Sequence, residues 1–402
     1  MPGTHALLSA SSAHRWLNCT PRARLEEQYE EQTSVYAEEG SLAHHYAEIE
    51  LKHAIGSASI DSVKYLSELK KIKSDELYNP EMDEYVGVYV SFVMETYGAI
   101  QRVCPDAELI IEGRLSFDQW VPNGYGTGDA VIVADKEIHV IDFKYGKGVA
   151  VEVVGNPQFR LYALGAYNEY SLLYGVDSIT TTVVQPRLDV IASETLTAKE
   201  LLDWGDEIKP IAWKAYDGEG IETIGDHCKF CKHKINCKAL KIEANKMAKK
   251  AFEKVQPSTM RPKTIADLLT KKDIVIDYLK AIADWALVEV RDNGLNLPGY
   301  KLVEGRSNRK YLDEDKVVAA LQEAGFNPDD FYEVKLKGVT AMDKLLAKAN
   351  KKDVLDGLIV KPEGAPVLVP ETDKRKEWQP KQTAEEAFKD VDLNNENGGT
   401  KE

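Results

Sequence analysis

GDAVIVADKEIHVIDFK, residues 128–144, reads as two apolar strands joined by a two-residue turn at Asp135 and Lys136. In an antiparallel hairpin with that turn, Ala134 pairs with Glu137, and Asp129 falls opposite Asp142. Directly opposed residues project from the same face, and Lys144, two positions on, shares it. The register therefore gathers two carboxylates and an ammonium at one strand end. Both strands are apolar on both faces, so the hairpin is expected at the centre of a covered sheet. Like charges held together there cost energy unless a cation lies between them, and oxygen donors suit magnesium or manganese. The competing reading is a plain Asp142 to Lys144 salt bridge on exposed strand ends. The D-x-K spacing alone does not separate the two, because an acid two residues before a lysine occurs six times in the chain.

The surrounding sequence predicts an α/β fold. Helical periodicity covers 22–53 with an interruption at Gly40, then 61–73 and 81–102. Strands follow at ELIIEGRLSF (108–117), AVIVA and IHVIDF. A helix spans 157–174, with Asn156 as cap and Pro157 in its first turn. SITTTVVQP reads as a further strand and TAKELLDWGDEIKPIAWKAY as a helix. That order gives a mixed central sheet flanked by helices. The expected domains are 1–255, a helical or α+β accessory region over 256–370, and a polar tail over 371–402.

At 402 residues and a net charge of −15, from 51 basic and 66 acidic residues, the chain does not attract polyanions through its overall field. Any nucleic-acid contact must be local, and residues 226–250 hold eight lysines against two acids. A solvated helix face is the equal alternative for that run. No apolar stretch approaches the ~20 residues of a membrane span, and no secretory leader pattern opens the chain, so a cytoplasmic, non-membrane location is expected.

Further residues add a resemblance. EEGSLAHHYAE supplies Gly40 and His44, GTGDAV supplies Asp129, IDFK supplies Asp142 and Lys144, and PQFRLYALGAY supplies Gln158 and Tyr162. In this order and on these elements they resemble the PD-(D/E)XK nuclease superfamily, restriction-endonuclease-like in its core, and within it the RecB-like branch. The resemblance implies His44, Asp129 and Asp142 as metal ligands, with the Phe143 carbonyl completing the set. It implies Lys144 supporting water and phosphate, and Gln158 and Tyr162 positioning the site or the DNA backbone. Glu112, on the strand before the hairpin, is expected near the metal. Taken alone, a histidine at a helix start is more often a surface residue, as His45 is expected to be.

Five cysteines in a chain with no export signal favour metal binding or plain burial over disulfides. HCKFCKHKINC places Cys228, Cys231 and Cys237 at C-x2-C-x5-C spacing, which suits one metal centre. His227, His233 or the distant Cys19 could supply a fourth ligand. The chain is similar here to AddB-type and CRISPR-associated RecB-like nucleases, in which one upstream and three downstream cysteines hold a [4Fe-4S] cluster. That resemblance implies Cys19 as the fourth ligand, with zinc as the alternative metal. Cys104 lies outside the pattern and reads as a buried small residue.

The combined reading is a magnesium- or manganese-dependent deoxyribonuclease, an exonuclease, acting on DNA. The layout, with LLSASSAHRWLNC near the start and GYKLVEGRSNRKY later, also resembles a phage and prophage family, which implies DNA recombination or processing beside a single-strand annealing protein. The alternatives from other classes are a DNA-binding protein without catalysis and a zinc-containing structural adaptor. Arg306, Arg309, Lys310 and Tyr311 suggest a DNA-contacting strand or, equally, a basic turn.

Overall fold

A computed structural model of the chain describes residues 6–30, 34–252 and 260–303 and parts of 314–359. Arg306, Arg309, Lys310, Tyr311 and the 371–402 tail lie outside the described residues. Two compact units divide the chain, Met1–Asn296 and Leu297–Glu402.

The first unit opens with short helices α1 (Ala13–Asn18) and α2 (Arg22–Glu26), followed by α3 (Val35–Ala54), α4 (Ser62–Lys73) and α5 (Glu81–Gln101). Local chemistry sets the helix starts. Ser34 accepts the Ala37 N–H and Asp61 the Lys64 N–H, each satisfying a donor that the first turn leaves unpaired. The interruption expected at Gly40 is absent, because α3 runs through it. The start lies upstream, at the Ser34 cap, and an interior glycine costs a helix only about 1 kcal/mol.

Three antiparallel strands follow: β1 (Glu108–Ser116), β2 (Tyr125–Ala134) and β3 (Glu137–Phe143). The hairpin register is the expected one, with Ala134 opposite Glu137 and Ala130 opposite Ile141. Helix α6 (Pro157–Tyr174) then crosses to β4 (Ser178–Gln185), which pairs parallel to β3. Asn156 caps α6 by accepting the Gln158 N–H, and Gly175 ends it in the left-handed region. A fifth strand, β5 (Val190–Thr197), is missing from the sequence reading. It is an edge strand whose inward positions include Ala192 and Glu194, so its alternation carries little apolar signal. The result is a mixed sheet in the order β1-β2-β3-β4-β5.

Apolar clusters cover both faces. On one, Val131, Val133, Ile138 and Val140 meet Leu161 and Leu164 of α6 and Leu201 of α7 (Ala198–Asp217). On the other, Ala130, Ile132, Ile141 and Phe143 meet Ala43 and Ala47 of α3 and Val86, Tyr89 and Val93 of α5. Both faces of the paired part of β2 and β3 are thus largely apolar and buried, with His139 the polar exception inside β3.

Helix α8 (Lys238–Phe252) follows the cysteine segment, and α9 (Pro262–Asp292) packs beside it through Ile274 and Tyr278 against Leu240 and Cys237. That contact puts α9 in the first unit. In the second unit, α10 (Glu314–Glu323) is described together with a short 3-10 turn at Lys352–Leu355. No described helix is long and apolar enough to cross a membrane.

Candidate metal centre

The polar groups converge at the middle of β2, where its pairing with β3 starts, and at the end of β3. His44 Nδ1 lies 3.2 Å from Asp129 Oδ1. The other Asp129 oxygen accepts the Phe143 N–H at 2.7 Å. Ligand atoms of His44, Glu112 and Asp129 all lie within 4.8 Å of one another, an arrangement that can hold a metal ion. Phe143 contributes its N–H here, and its buried ring lies 5.3 Å from the His44 imidazole.

Asp142 takes a different partner from Asp129. Its Oδ1 accepts from Lys144 Nζ at 3.2 Å, and its Oδ2 lies 2.9 Å from the same ammonium, held by charge but off the angle for a hydrogen bond. The two carboxylates that the register brings together are thus each given a cation, His44 for Asp129 and Lys144 for Asp142. From α6, Gln158 Nε2 reaches the Tyr162 hydroxyl at 3.5 Å, the limit of a hydrogen bond. The Tyr162 ring lies over Gly126, where a Cβ would stand 2.7 Å from Cε1.

Glu112 enters the cluster through its backbone. Its φ of 53° is left-handed, uncommon for a non-glycine residue. The ladder pairs Ile111 with Ala130 and Gly113 with Gly128, skipping the Glu112 and Asp129 step. Ile110 packs in the first cluster and Ile111 in the second, yet Leu115 belongs to the first. Face alternation therefore shifts by one residue across Glu112 while the register on β2 is kept, so the irregularity lies in the backbone of Glu112 and inserts no residue. No local motif in ELIIEGRLS marks that shift.

The charges respond to one another. Burial disfavours the imidazolium of His44, but the Asp129 charge and hydrogen bond outweigh it and raise the group to about 8. Burial also opposes ionisation of Asp129, yet His44, Lys144 and the Phe143 N–H hold its carboxyl below the ordinary value. Burial raises Asp142 to about 6, with Lys144 pulling down and Asp129 pushing up. Glu112 is raised to about 7 by burial and by the Asp129 charge. Burial, followed by the Asp142 charge, raises the Tyr162 phenol to about 12. A cation would lower every carboxyl here and displace the imidazolium proton.

Cys19, Cys228, Cys231 and Cys237 line one small cavity of about 20 Å³, together with Arg22, His227 and His233. Burial raises the Cys231 thiol to about 12 and Cys237 to about 11, so binding a metal would have to remove their protons. Around this cavity the N-terminal segment is tied to the cysteine loop. Arg22, 2% exposed, donates to the carbonyls of His227 and Phe230 and lies 2.9 Å from Glu26 Oε1. Glu26 accepts the Lys232 N–H at 2.8 Å, and the Tyr29 hydroxyl meets His233 Nδ1 at 3.1 Å. Thr20 donates to the Glu219 carbonyl at 2.6 Å. Cys104 is partly buried and outside this group.

Fold and site together define an α/β protein with a histidine and carboxylate cluster at the end of a five-stranded mixed sheet. The chain belongs to the family described as Protein of unknown function (DUF2800), whose profile matches residues 5–376. A solved structure described as "Crystal structure of SSO0001" aligns over 56% of this chain and 96% of its own, at 17% identity and a TM-score of 0.25. A likeness that low carries no argument.

Proposed function

We propose that the chain is a magnesium- or manganese-dependent deoxyribonuclease of the PD-(D/E)XK superfamily, RecB-like in its motifs, acting as an exonuclease. The observation that carries this reading is the convergence of His44, Glu112 and Asp129 within 4.8 Å, next to the buried Asp142 and its half-buried partner Lys144. Nitrogen and carboxylate donors in that number suit a hard divalent cation with positions left for water and substrate. Held there, such a cation supplies Lewis acidity, acidifying water and offsetting charge on the phosphoryl group.

The chain's own residues divide the remaining work. Asp142 holds the Lys144 ammonium at the cluster, where it can donate to a phosphate oxygen or to the attacking water. Burial disfavours the charged lysine, but the Asp142 and Asp129 charges outweigh it and keep Lys144 protonated. Tyr162 stays a neutral donor at working pH, oriented by its packing over Gly126. Phe143 fixes one Asp129 oxygen and leaves the other turned to His44.

For the cysteines, the reading is a resident soft-metal centre, a [4Fe-4S] cluster, with zinc as the other candidate. The donor set fits in kind, since four thiols face one cavity and thiolates accept either metal. Iron, zinc and labile sulfide analysis of the purified protein decides between them.

The test of the activity is digestion of end-labelled linear duplex and of closed circular DNA with magnesium or manganese, comparing wild type with Asp142→Ala. Loss of linear DNA alone, abolished by the substitution, supports an exonuclease. Intact DNA in every lane, with binding retained, moves the chain to a DNA-binding role.

A further inference from the structure

The turn that ends β4, Gln185-Pro186-Arg187, reaches both halves of the candidate centre without contributing a ligand to it. Gln185 is 2% exposed, and its side chain is fully engaged with the loop that follows Lys144. Its Nε2 donates to the Gly146 carbonyl at 2.7 Å and the Val149 carbonyl at 3.0 Å, while its Oε1 accepts the Val151 N–H at 3.1 Å. Just before it, the Val184 carbonyl accepts the Lys144 N–H at 2.9 Å. Arg187 turns the other way, toward α3. Its Nη1 lies 3.1 Å from Glu39 Oε1, with the arginine side chain 9% exposed. The guanidinium stands over the Tyr145 ring at 4.6 Å and the Tyr85 ring at 5.8 Å.

Glu39 is on the helix that carries His44, and Tyr145 follows Lys144. We propose that the Gln185 to Arg187 turn is the positioning element of the centre, setting α3 against the end of β3. The proposal rests on the metal-site reading above. Its physical reason is directionality. The α3 face packs on the sheet through Ala43 and Ala47, apolar contacts that resist separation more than sliding. A ligand pair at 3.2 Å needs the helix fixed along its axis as well. A planar guanidinium held between a carboxylate and two aromatic faces supplies that constraint. Enclosed in this way, Arg187 is spent on the fold and is not a contact for substrate phosphate. It acts through Glu39 and Tyr145, as Gln185 acts through the loop.

The test is manganese binding to the full chain, by calorimetry or by loss of the free-ion resonance signal. It compares wild type, His44→Ala, Glu39→Gln, Arg187→Lys and Arg187→Met, with thermal melting recorded for each. Glu39→Gln and Arg187→Met are expected to weaken manganese binding by roughly 10- to 100-fold in the folded protein, the usual effect of losing a group behind a ligand. Arg187→Lys, which keeps the charge without the fork, should fall between them and wild type. A purely structural role would lower the melting temperature and leave the affinity of the folded protein unchanged. If Arg187→Met does not fold, Glu39→Gln, neutral and of the same size, carries the comparison. Binding lost in His44→Ala but within twofold of wild type in Glu39→Gln and Arg187→Lys overturns this proposal alone. No binding by wild type, or full binding by His44→Ala, overturns the metal-site reading and this proposal with it.

Discussion

His44 Nδ1 and Asp129 Oδ1 stand 3.2 Å apart, brought together by a helix and a strand from different parts of the chain. Without a cation the contact is an ion pair; with one, both atoms become ligands. Asp129→Asn keeps the size of the side chain and removes its charge. It is expected to abolish manganese binding and to reduce cleavage by more than the roughly 100-fold typical of an outer-shell substitution. Calorimetry and the digestion assay check the two halves of that expectation.

The raised groups make the metal-free protein sensitive to alkali. His44 is held at about 8, above the ordinary 6.5, so its contribution is complete below pH 6.5 and is lost as pH rises through 8. For this group alone the loss is about 2 kcal/mol. Glu112 at about 7 and Asp142 at about 6 act in the same direction, because the folded state keeps protons that the unfolded chain releases nearer pH 4. Melting temperature without metal should fall between pH 5 and 8. Manganese should reverse the fall, with proton release and tighter binding as pH rises. A flat metal-free profile would show that His44 and Glu112 are not coupled to Asp129.

Gly126 and Tyr162 are packed so that a side chain on the first displaces the second, a Cβ standing 2.7 Å from the ring. Gly126→Ala should cost about 1–3 kcal/mol from overpacking. If Tyr162 positions substrate, the variant should also lose cleavage to the extent that Tyr162→Ala does, with manganese affinity intact. Full activity in a folded Gly126→Ala protein would remove Tyr162 from the site.

How much of this could be read in advance depended on how local each determinant is. The β2 and β3 register followed from a two-residue turn and alternating apolar residues, and α6 from its asparagine cap and first-turn proline. Those signals sit within a few residues of what they determine. Glu112 was expected near the metal only from its strand. Its left-handed backbone, which turns the carboxylate into the cluster, is imposed by the shift in packing between Ile111 and Leu115 and has no signature in sequence. Strand β5 escaped because its inward positions include Ala192 and Glu194 while Ile191 faces outward, so the alternation carries little apolar contrast. His44 stood out only through its spacing from Gly40, since its partner comes from the sheet. The separate pairing of Asp129 and Asp142 also depends on that tertiary contact.

Arg22 ties the N-terminal segment to the cysteine loop at the cavity, donating to two of the loop's carbonyls while paired with Glu26. Arg22→Met leaves both carbonyls and the Glu26 carboxylate without their partner, a loss of roughly 3–5 kcal/mol for a buried pair. The expected outcome is a lower melting temperature together with lower iron or zinc content per chain. Cys19→Ser should lower the metal content as well, since it lines the same cavity. Unchanged metal content in Cys19→Ser would exclude that residue as a ligand.

Asp142 and Lys144 test whether the opening D-x-K is chemistry or a salt bridge. Lys144→Met strands a buried carboxylate already raised to about 6, and without the ammonium that group moves further up. The single variant should therefore be destabilised increasingly as pH rises above 6, because the folded state then holds a proton the solvent is removing. Adding Asp142→Asn takes away the stranded charge, so the double variant should recover most of that stability, in line with the small net worth of many buried ion pairs. Cleavage should not recover with it, because the ammonium is still missing and the Asp142 carboxylate is gone as well. If cleavage returns along with stability, the pair is structural and Lys144 has no part in the reaction. Stability regained with activity still absent shows that lost stability is not what stops cleavage and leaves Asp142 and Lys144 together as groups the reaction needs, a separation that melting and digestion on the same two proteins can resolve.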